Sequence, residues 1–246
     1  MHLSIVIPAY NEERRIGPSL ARILAYLGAQ SWPAEVLVVI DGSRDRTAEV
    51  VRGVATCAVP VQVLDTGINL GKGACVRRGM LAARGALRLF TDADLSTPIE
   101  EVERLAHAVD RGYDVAIGSR RLAGSRIAVA QPWWRRVMGR TFAWCVQRIA
   151  VPGIQDTQCG FKLFSARAAE RIFPRQRIDD FGFDVEVLWI AHRLGYRVAE
   201  VPVRWTDDPR STVRPIVDSL RMLSDLVRIR RADRRGLYRS EAPAEP

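Results

Sequence analysis

The sequence predicts an α/β fold with a mostly parallel sheet that is flanked by helices. Short apolar runs typical of buried strands alternate with segments whose apolar residues recur at helical spacing, and each apolar run ends in a polar turn. Strands that alternate with helices in this way form parallel sheets with right-handed crossovers. Ligands bind at the carboxyl ends of the strands in such sheets, so we expect a site among the polar turns.

Five strands are expected in the first half of the chain. The run at residues 36–40 is continuous and β-branched, as expected for a strand covered on both faces. The predicted strands lie at residues 3–7, 36–40, 61–65, 87–91 and 115–117.

Helices are expected between these strands. Asn11 can cap the first helix, and the turn at residues 41–47 can open the second. A third helix follows residues 71–73, and a fourth begins with Thr97 as its cap and Pro98 at its first position.

The second half of the chain is less regular but contains further periodic segments. These are an amphipathic helix at 132–150, a helix capped by Ser165, a helix from Asp184, a strand at 197–203 and a basic amphipathic helix at 215–232. We therefore expect an α/β domain at residues 1–214, followed at 215–246 by the amphipathic helix and a frayed tail.

Composition restricts the class of protein. The 246 residues suffice for one large domain whose core needs no staples. The four cysteines, Cys57, Cys75, Cys145 and Cys159, are widely spaced, which predicts reduced thiols in a cytoplasmic protein and neither a zinc site nor a disulfide framework. The chain starts directly in a predicted strand, so we expect no signal peptide. We also expect no membrane-spanning helix, since no window approaches the ~18 uncharged apolar residues required.

The charge predicts an anionic partner. A formal net charge of +9 is compatible with nucleic acid, a membrane surface or phosphorylated substrates. Of the 37 basic residues only Lys72 and Lys162 are lysines. Tryptophans stand beside arginines at 132–150, as they do at membrane interfaces, although packing of the tryptophans on the core is an equally common arrangement.

Asp92 and Asp94 are candidate metal ligands. They follow the fourth predicted strand and project from the same side of an extended backbone. Mg²⁺ and Mn²⁺ favour carboxylate oxygens and take further ligands from substrate phosphates and water, as a nucleoside diphosphate would supply. The alternative is a solvated strand end with a helix cap. A functional pair is favoured because the polar clusters at 8–12 and 41–45 converge on the same end of the sheet.

Five motifs, in this order, resemble those of family 2 inverting glycosyltransferases with the GT-A (Rossmann-like) fold. They lie at residues 7–12, 41–47, 69–73, 92–94 and 118–120. Within that family, residues 156–164 and 182–188 are most similar to dolichyl-phosphate β-glucosyltransferases, and next to dolichyl-phosphate mannosyltransferases. The family often has two acids before the Gly-Ser of the second motif, whereas here Ile40 replaces the first and leaves only Asp41.

The resemblance implies a donor site and a metal site. Asp94, with Asp92, would hold Mg²⁺ or Mn²⁺ on the donor diphosphate. Lys72 would lie near the nucleotide or serve only as a cation at the start of a helix. The residues implied to bind the nucleotide sugar are Pro8, Tyr10, Glu12, Asp41, Lys72, Asp92 and Ala93.

It also implies an acceptor site. Arg120 and Arg135 match positions that meet the acceptor phosphate in mannosyltransferase relatives, and Lys162 could join them. Asp156 is the expected catalytic residue, either as a general base or as a residue that orients these cations. The pair Asp184 and Glu186 is an alternative source of a base.

We therefore expect a cytoplasmic, peripherally membrane-associated enzyme that transfers glucose from UDP-glucose to a polyprenyl phosphate with inversion. Anionic lipid would be bound by the segments 132–150 and 215–232. The alternatives are a mannosyltransferase that uses GDP-mannose, and a family 2 enzyme with a polysaccharide, glycolipid or small-molecule acceptor. A basic module that binds nucleic acid or membrane is the non-enzymatic alternative. It is disfavoured, and no nucleic-acid partner is expected, because such a module needs no carboxylates gathered at strand ends.

Overall fold

The computed structural model describes residues 2–54, 59–127, 151, 153–207 and 215–239, without the side chains of residues 215–220. The predicted helix at 132–150, with Arg135 and its tryptophans, lies outside the described residues, as do Cys57, Cys145 and the tail at 240–246.

A seven-stranded sheet forms the centre of the molecule, and a two-stranded ladder of β6 and β9 lies beside it. Along the large sheet the strand order is β3-β2-β1-β4-β7-β5-β8. The strands are β1 (Leu3–Ala9), β2 (Ala34–Ile40), β3 (Val61–Asp65), β4 (Leu87–Thr91), β5 (Val115–Ser119), β6 (Arg126–Ile127), β7 (Phe161–Ser165), β8 (Val198–Pro202) and β9 (Arg204–Trp205).

All five strands predicted in the first half are confirmed, as is the predicted strand at 197–203, which is β8. The neighbours β3, β2, β1 and β4 are parallel, as expected for strands joined by helices. Strand β7, which runs antiparallel between β4 and β5, was not predicted. Its second residue, Lys162, breaks the apolar run that marks a buried strand.

Helices cover both faces of the sheet. They are α1 (Ile16–Gly28), α2 (Thr47–Val54), α3 (Lys72–Ala82), α4 (Val102–Asp110), α5 (Ala166–Ile172), α6 (Phe183–Arg193) and α7 (Pro215–Arg234). Short 3-10 turns precede α4 at Ile99–Glu101 and follow α5 at Phe173–Arg175.

The two predicted caps in the first half are wrong, whereas the cap at Ser165 is confirmed. The first helix begins only at Ile16; Asn11 instead has φ 54°, and its side-chain oxygen accepts the Arg44 N–H across the loops. Thr97 was expected to cap the fourth helix. Pro98 instead occupies the cap position of the 3-10 turn at Ile99–Glu101, and no side chain bonds to that cap. Ser165 accepts the Ala168 N–H at 3.2 Å. Tertiary contacts between loops therefore replace local capping near the polar ends of the strands.

The core lies on both faces of the sheet. Alternate residues of one strand point to opposite sides, so Ile5 packs below α1 and α4 while Val6 packs below α3 and α6. This two-sided burial explains why residues 36–40 of β2 form a continuous apolar run rather than an alternating pattern.

The C-terminal helix α7 packs on the same layer as α6. Met222, Leu226 and Ile229 are buried in that core, and the Tyr238 hydroxyl donates to Glu186 Oε1 at 2.5 Å. The division at residue 215 stays a prediction, and these contacts count against a separable helix. No helix among the described residues is both long and apolar enough to cross a bilayer.

Candidate active site

The loops after β1 and β2 are tied together at the carboxyl ends of these strands. The Glu12 N–H donates to Thr47 Oγ1 at 2.7 Å, and the Glu13 N–H donates to Asp45 Oδ2 at 3.1 Å. These bonds place Glu12 beside the Asp92 loop, while Tyr10 remains 42% exposed. The polar clusters that the sequence predicted to converge do meet in space.

Asp41 holds the loop that leads into α3. Its two carboxylate oxygens accept the N–H groups of Leu70 at 2.6 Å and Gly71 at 3.0 Å, and the side chain is buried. Gly42 follows with φ +60°, and a side chain there would collide with the backbone of Ile68. A contact between Asp41 and a base or ribose stays a prediction, and it would involve a carboxylate that already has two amide partners.

Pro8 and Ala93, which were predicted to bind the nucleotide sugar, are both buried. Pro8 is buried within β1, opposite Val39 of β2, and Ala93 is buried between the two aspartates of the loop after β4. Any contribution that they make to nucleotide binding is therefore one of shape and backbone rather than side-chain polarity.

Asp92 and Asp94 follow the end of β4, and Glu12 lies close enough to interact electrostatically with both. Burial raises the pKa of Asp94, and the charge of Asp92 raises it further. Burial likewise raises the pKa of Glu12, and repulsion from both aspartates adds to this rise. The ion pair of Glu12 with Arg15 lowers the pKa but does not cancel the rise. The protein thus concentrates negative charge at this point of the sheet.

The two aspartates have different partners. Asp92 Oδ1 lies 2.6 Å from Lys72 Nζ. Asp94 Oδ1 accepts the Ser96 N–H at 3.0 Å, and its Oδ2 lies 3.8 Å from Arg15. Burial alone would lower the pKa of Lys72, but Asp92 and Asp184 outweigh burial and raise it, so Lys72 is a permanent cation. Asp92 is therefore held by a close ion pair, whereas Asp94 is held by an amide hydrogen bond and a longer ion pair.

Lys162 is placed differently from the sequence prediction. It is 0% exposed, forms an ion pair with Asp184 and donates to the Cys159 carbonyl at 2.7 Å. A phosphate could reach this ammonium group only if the core opened, so the prediction that Lys162 contacts the acceptor phosphate is wrong for this structure. Its position in the middle of β7 explains its burial.

Arg120 and Asp156 form a fork-to-carboxylate ion pair. Arg120 Nε and one terminal nitrogen each lie 2.7 Å from an Asp156 oxygen, and the Arg120 N–H donates to the same carboxylate at 2.9 Å. Burial alone would raise the pKa of Asp156, which is 1% exposed, but Arg120 lowers it to about 2. The Arg120 guanidinium also lies 5.3 Å from the ring centroid of Trp205. Asp156 is thus a weak base that orients Arg120.

Glu200, on β8, is a residue that the sequence reasoning missed. Its carboxylate accepts the N–H groups of Gln155 at 2.9 Å and Asp156 at 2.8 Å, and so holds the loop that carries Asp156. Its only sequence signal was an acid inside a predicted strand near the C-terminal end of the domain.

Glu186 and Asp184, the alternative bases predicted from the sequence, both have structural partners. Glu186 is completely buried and accepts the N–H groups of Arg177 and Ile178 as well as the Tyr238 hydroxyl. Asp184 is paired with Lys162. Neither carboxylate is available to take a proton from a bound acceptor in this structure, so the predicted alternative base pair is wrong.

Comparison with known proteins agrees with this arrangement. The family model "Glycosyl transferase family 2" matches residues 4–173. The chain is 36% identical to the dolichyl-phosphate beta-glucosyltransferase of Dictyostelium discoideum over 94% of this chain and 74% of that protein. It is 34% identical to the Homo sapiens protein of the same name over 97% of this chain and 78% of that one.

Solved structures share the fold at lower identity. Mannosyl-3-phosphoglycerate synthase from Rubrobacter xylanophilus has a TM-score of 0.71 at 17% identity, over 100% of this chain and 79% of that one. Glucosyl-3-phosphoglycerate synthase from Mycobacterium tuberculosis, in complex with UDP, has a TM-score of 0.67 at 19% identity, over 93% and 79%. The predicted GT-A fold is confirmed, and the chain belongs to glycosyltransferase family 2.

Proposed function

We propose that this enzyme transfers glucose from UDP-glucose to a polyprenyl phosphate of the dolichyl type, with inversion at the anomeric carbon and at the cytoplasmic face of a membrane. The observation that carries the proposal is the similarity to dolichyl-phosphate beta-glucosyltransferases across almost the whole chain. The Arg120–Asp156 pair, which provides a guanidinium fixed in direction, supports a phosphate acceptor.

A divalent metal fits the carboxylates after β4. Within the described residues no three ligating side chains are grouped to hold a metal alone, so the protein would supply Asp94 with Asp92 and leave positions for diphosphate and water. Mg²⁺ or Mn²⁺ bound there would neutralise the growing charge of the departing diphosphate. Related support comes from glucosyl-3-phosphoglycerate synthase, which has been solved with Mn²⁺ and UDP.

The protein's own groups suit the donor. Lys72 holds Asp92 in place and adds positive charge beside the diphosphate position. Tyr10 and Glu12 lie on the neighbouring loop, where they can border the nucleoside, with Asp41 beneath the loop before α3.

The acceptor chemistry accounts for the weak basicity of Asp156. A phosphate monoester has a second pKa of about 6, so it is already mostly a dianion at neutral pH and can attack without a general base. It needs to be held and aimed, and the guanidinium N–H groups of Arg120 that Asp156 does not engage are suited to this task because Asp156 fixes their direction. Arg135, the second predicted phosphate ligand, lies outside the described residues and stays a prediction.

The substrate proposal is tested by product analysis. We expect labelled glucose to pass from UDP-glucose to a polyprenyl phosphate but not to the matching free polyprenol, with GDP-mannose a poor donor. Preferential use of GDP-mannose would assign the mannosyltransferase alternative, and efficient transfer to a free hydroxyl would assign a different acceptor class.

Donor binding is expected to raise the melting temperature. UDP-glucose with Mn²⁺ at about 100 times its Kd should stabilise the native state by ~2.7 kcal/mol, or about 5–10 °C for a chain of this size. Differential scanning fluorimetry with ADP-glucose as the control nucleotide sugar checks this. An equal shift with both would contradict the proposed uridine specificity.

The outer face of α7 is the proposed membrane contact among the described residues. Leu223 and Val227 are exposed there among arginines that include Arg231 and Arg234. Truncation before α7 would uncover the core, so point substitutions are the better test. Peripheral attachment and the cytoplasmic location both stay proposals.

Removing two arginines from this face should weaken binding to anionic vesicles. At about 1 kcal/mol for each basic residue near the surface, Arg231→Gln with Arg234→Gln should lower the partition coefficient by about 30-fold. Vesicle flotation at low salt measures this, with Arg52→Gln, on α2 at the other face of the sheet, as the matched control. Equal loss in the control would contradict the assignment of the α7 face.

A further inference from the structure

The two lysines of this arginine-rich chain belong to one row of charges. Lys72 Nζ lies 2.6 Å from Asp92 Oδ1, and Lys162 is paired with Asp184. Asp184 also interacts electrostatically with Lys72, so the charges alternate in sign from Asp92 to Lys162. One end of this row lies in the candidate active site, and the other end is enclosed in the core.

Stability does not explain the buried end of the row. Burying an ion pair usually costs about as much as the attraction returns, and apolar residues of similar volume often serve as well or better. Lys162 nonetheless occupies a fully buried position in the central strand β7, with its ammonium 5.1 Å from the ring centroid of Phe90. A geometric role is the more economical explanation.

The geometry links Lys162 to Asp92 through one turn. Lys162 donates to the Cys159 carbonyl at 2.7 Å, and the Asp92 N–H donates to the next carbonyl, that of Gly160, at 3.2 Å. A side chain at Gly160 would collide with the Asp92 carboxylate. The Asp92 carboxylate thus packs against the Cys159–Gly160 turn, and Lys162 fixes that turn through its bond to the Cys159 carbonyl.

A compact ammonium group is required at this point. It bonds a carbonyl and a carboxylate from different elements within a closed space, whereas a planar guanidinium would need a wider one. This requirement accounts for a lysine at Lys162 in a chain with 35 arginines.

We infer that Lys162 and Asp184 are positioning residues that fix the Cys159–Gly160 turn and thereby aim Asp92, with Lys72, at the donor diphosphate. The inference rests on the proposed function for the identity of the donor. It predicts that loss of the pair weakens donor binding and leaves the acceptor side, formed around Arg120, unchanged.

The test removes both charges together, so that no lone charge is left in the core. Lys162→Met alone should lower both the free energy of unfolding and donor affinity. The double variant Lys162→Met with Asp184→Asn should recover most of the unfolding free energy yet keep a Kd for UDP-glucose at least tenfold above that of the wild type. The KM for polyprenyl phosphate should stay within twofold of the wild-type value. Calorimetry, urea unfolding and steady-state kinetics measure the three quantities.

A readout that needs no donor completes the test. In the double variant Lys72 is the remaining lysine, so its acylation rate, followed by peptide mass spectrometry, reports how firmly Asp92 holds it. We expect at least threefold faster acylation than at Lys72 of the wild type. Arg88→Met with Glu170→Gln, which removes an ion pair from β4 away from Asp92, is the matched control and should change neither rate nor Kd.

Gly160→Ala probes the same contact without altering the buried pair. We expect at least tenfold weaker UDP-glucose binding from this variant as well. Wild-type values of the acylation rate and Kd in both the double variant and Gly160→Ala would overturn the inference. Failure of the wild-type protein to bind UDP-glucose would overturn the proposed donor instead, while the acylation rates would still decide the positioning role.

Discussion

Replacing Asp94 by asparagine is expected to lower turnover by about 10³-fold, the size of effect seen when a group that stabilises transition-state charge is removed. Asparagine keeps the bond to the Ser96 N–H but loses the negative charge that a metal requires. The fold should persist, because Asp94 is at a strand end and contributes little to the core. Single-turnover rates and the Kd for UDP-glucose with and without Mn²⁺ measure the effect.

Asp110→Asn is the matched control for this experiment. Asp110 is an exposed aspartate at the end of α4, away from the carboxylates after β4, so its replacement should leave turnover unchanged. An Asp94→Asn enzyme that retains more than a tenth of wild-type turnover, or whose nucleotide binding still responds to Mn²⁺, would contradict the metal assignment.

The second large effect is expected at Arg120. Its replacement by alanine should lower kcat/KM for polyprenyl phosphate by about 10²- to 10³-fold, since the cation proposed to bind the phosphate is lost and Asp156 is left buried without its partner. Arg120→Lys should recover only part of this, because lysine offers a point charge without the fork. The Kd for UDP-glucose should change less than threefold in both variants.

The control for Arg120 is Arg111→Ala, an exposed arginine after α4. If Arg120→Ala weakened donor and acceptor use equally, or if Arg111→Ala had the same effect, Arg120 would not be the acceptor ligand.

The pH dependence of Asp156 follows from the same ion pair. A native pKa of about 2 keeps Asp156 ionised throughout the range in which the enzyme works. Because this native pKa lies below the unfolded value of about 3.9, the pair stabilises the protein by about 3 kcal/mol at neutral pH, and that stability is lost as pH falls from about 4 to 2.

Between pH 5 and 8 the rate should instead follow the acceptor phosphate. We expect Asp156→Asn to have lower turnover but the same shape of pH profile, with a fall towards about pH 6 in both enzymes as the phosphate takes up a proton. Steady-state rates with a saturating donor provide the comparison. A fall near pH 6 that vanishes in Asp156→Asn would instead identify Asp156 as a general base.

The parallel half of the fold was predictable because its apolar-rich strands alternate regularly with segments of helical spacing and end in polar turns. Strand β7 was not, since Lys162 interrupts a short run and only the surrounding tertiary structure shows that a lysine can be buried there. The prediction that Asn11 caps the first helix was wrong for a related reason. Asn11 bonds to the loop after β2, a contact between distant residues that a local pattern does not contain.

It was easier to predict which residues lie in the site than to predict which of them form ion pairs and hydrogen bonds with one another. Asp92, Asp94, Lys72, Arg120 and Asp156 all lie at the predicted end of the sheet. Which charge meets which depends on strands that are far apart in sequence, so the commitment of Glu186 and Asp184 to structure and the role of Glu200 emerged only from the geometry.

The antiparallel insertion of β7 also sets the order in which the protein can fold during synthesis. The four parallel strands from β1 to β4 all lie within the first 91 residues, so they leave the ribosome before β7 has been synthesised. The free side of β4 must then wait until Phe161–Ser165 has left the ribosome, and β5 with β8 can join the sheet only through β7. A nascent chain that stops before β7 therefore presents an unpaired β4 edge, which is a template for aggregation.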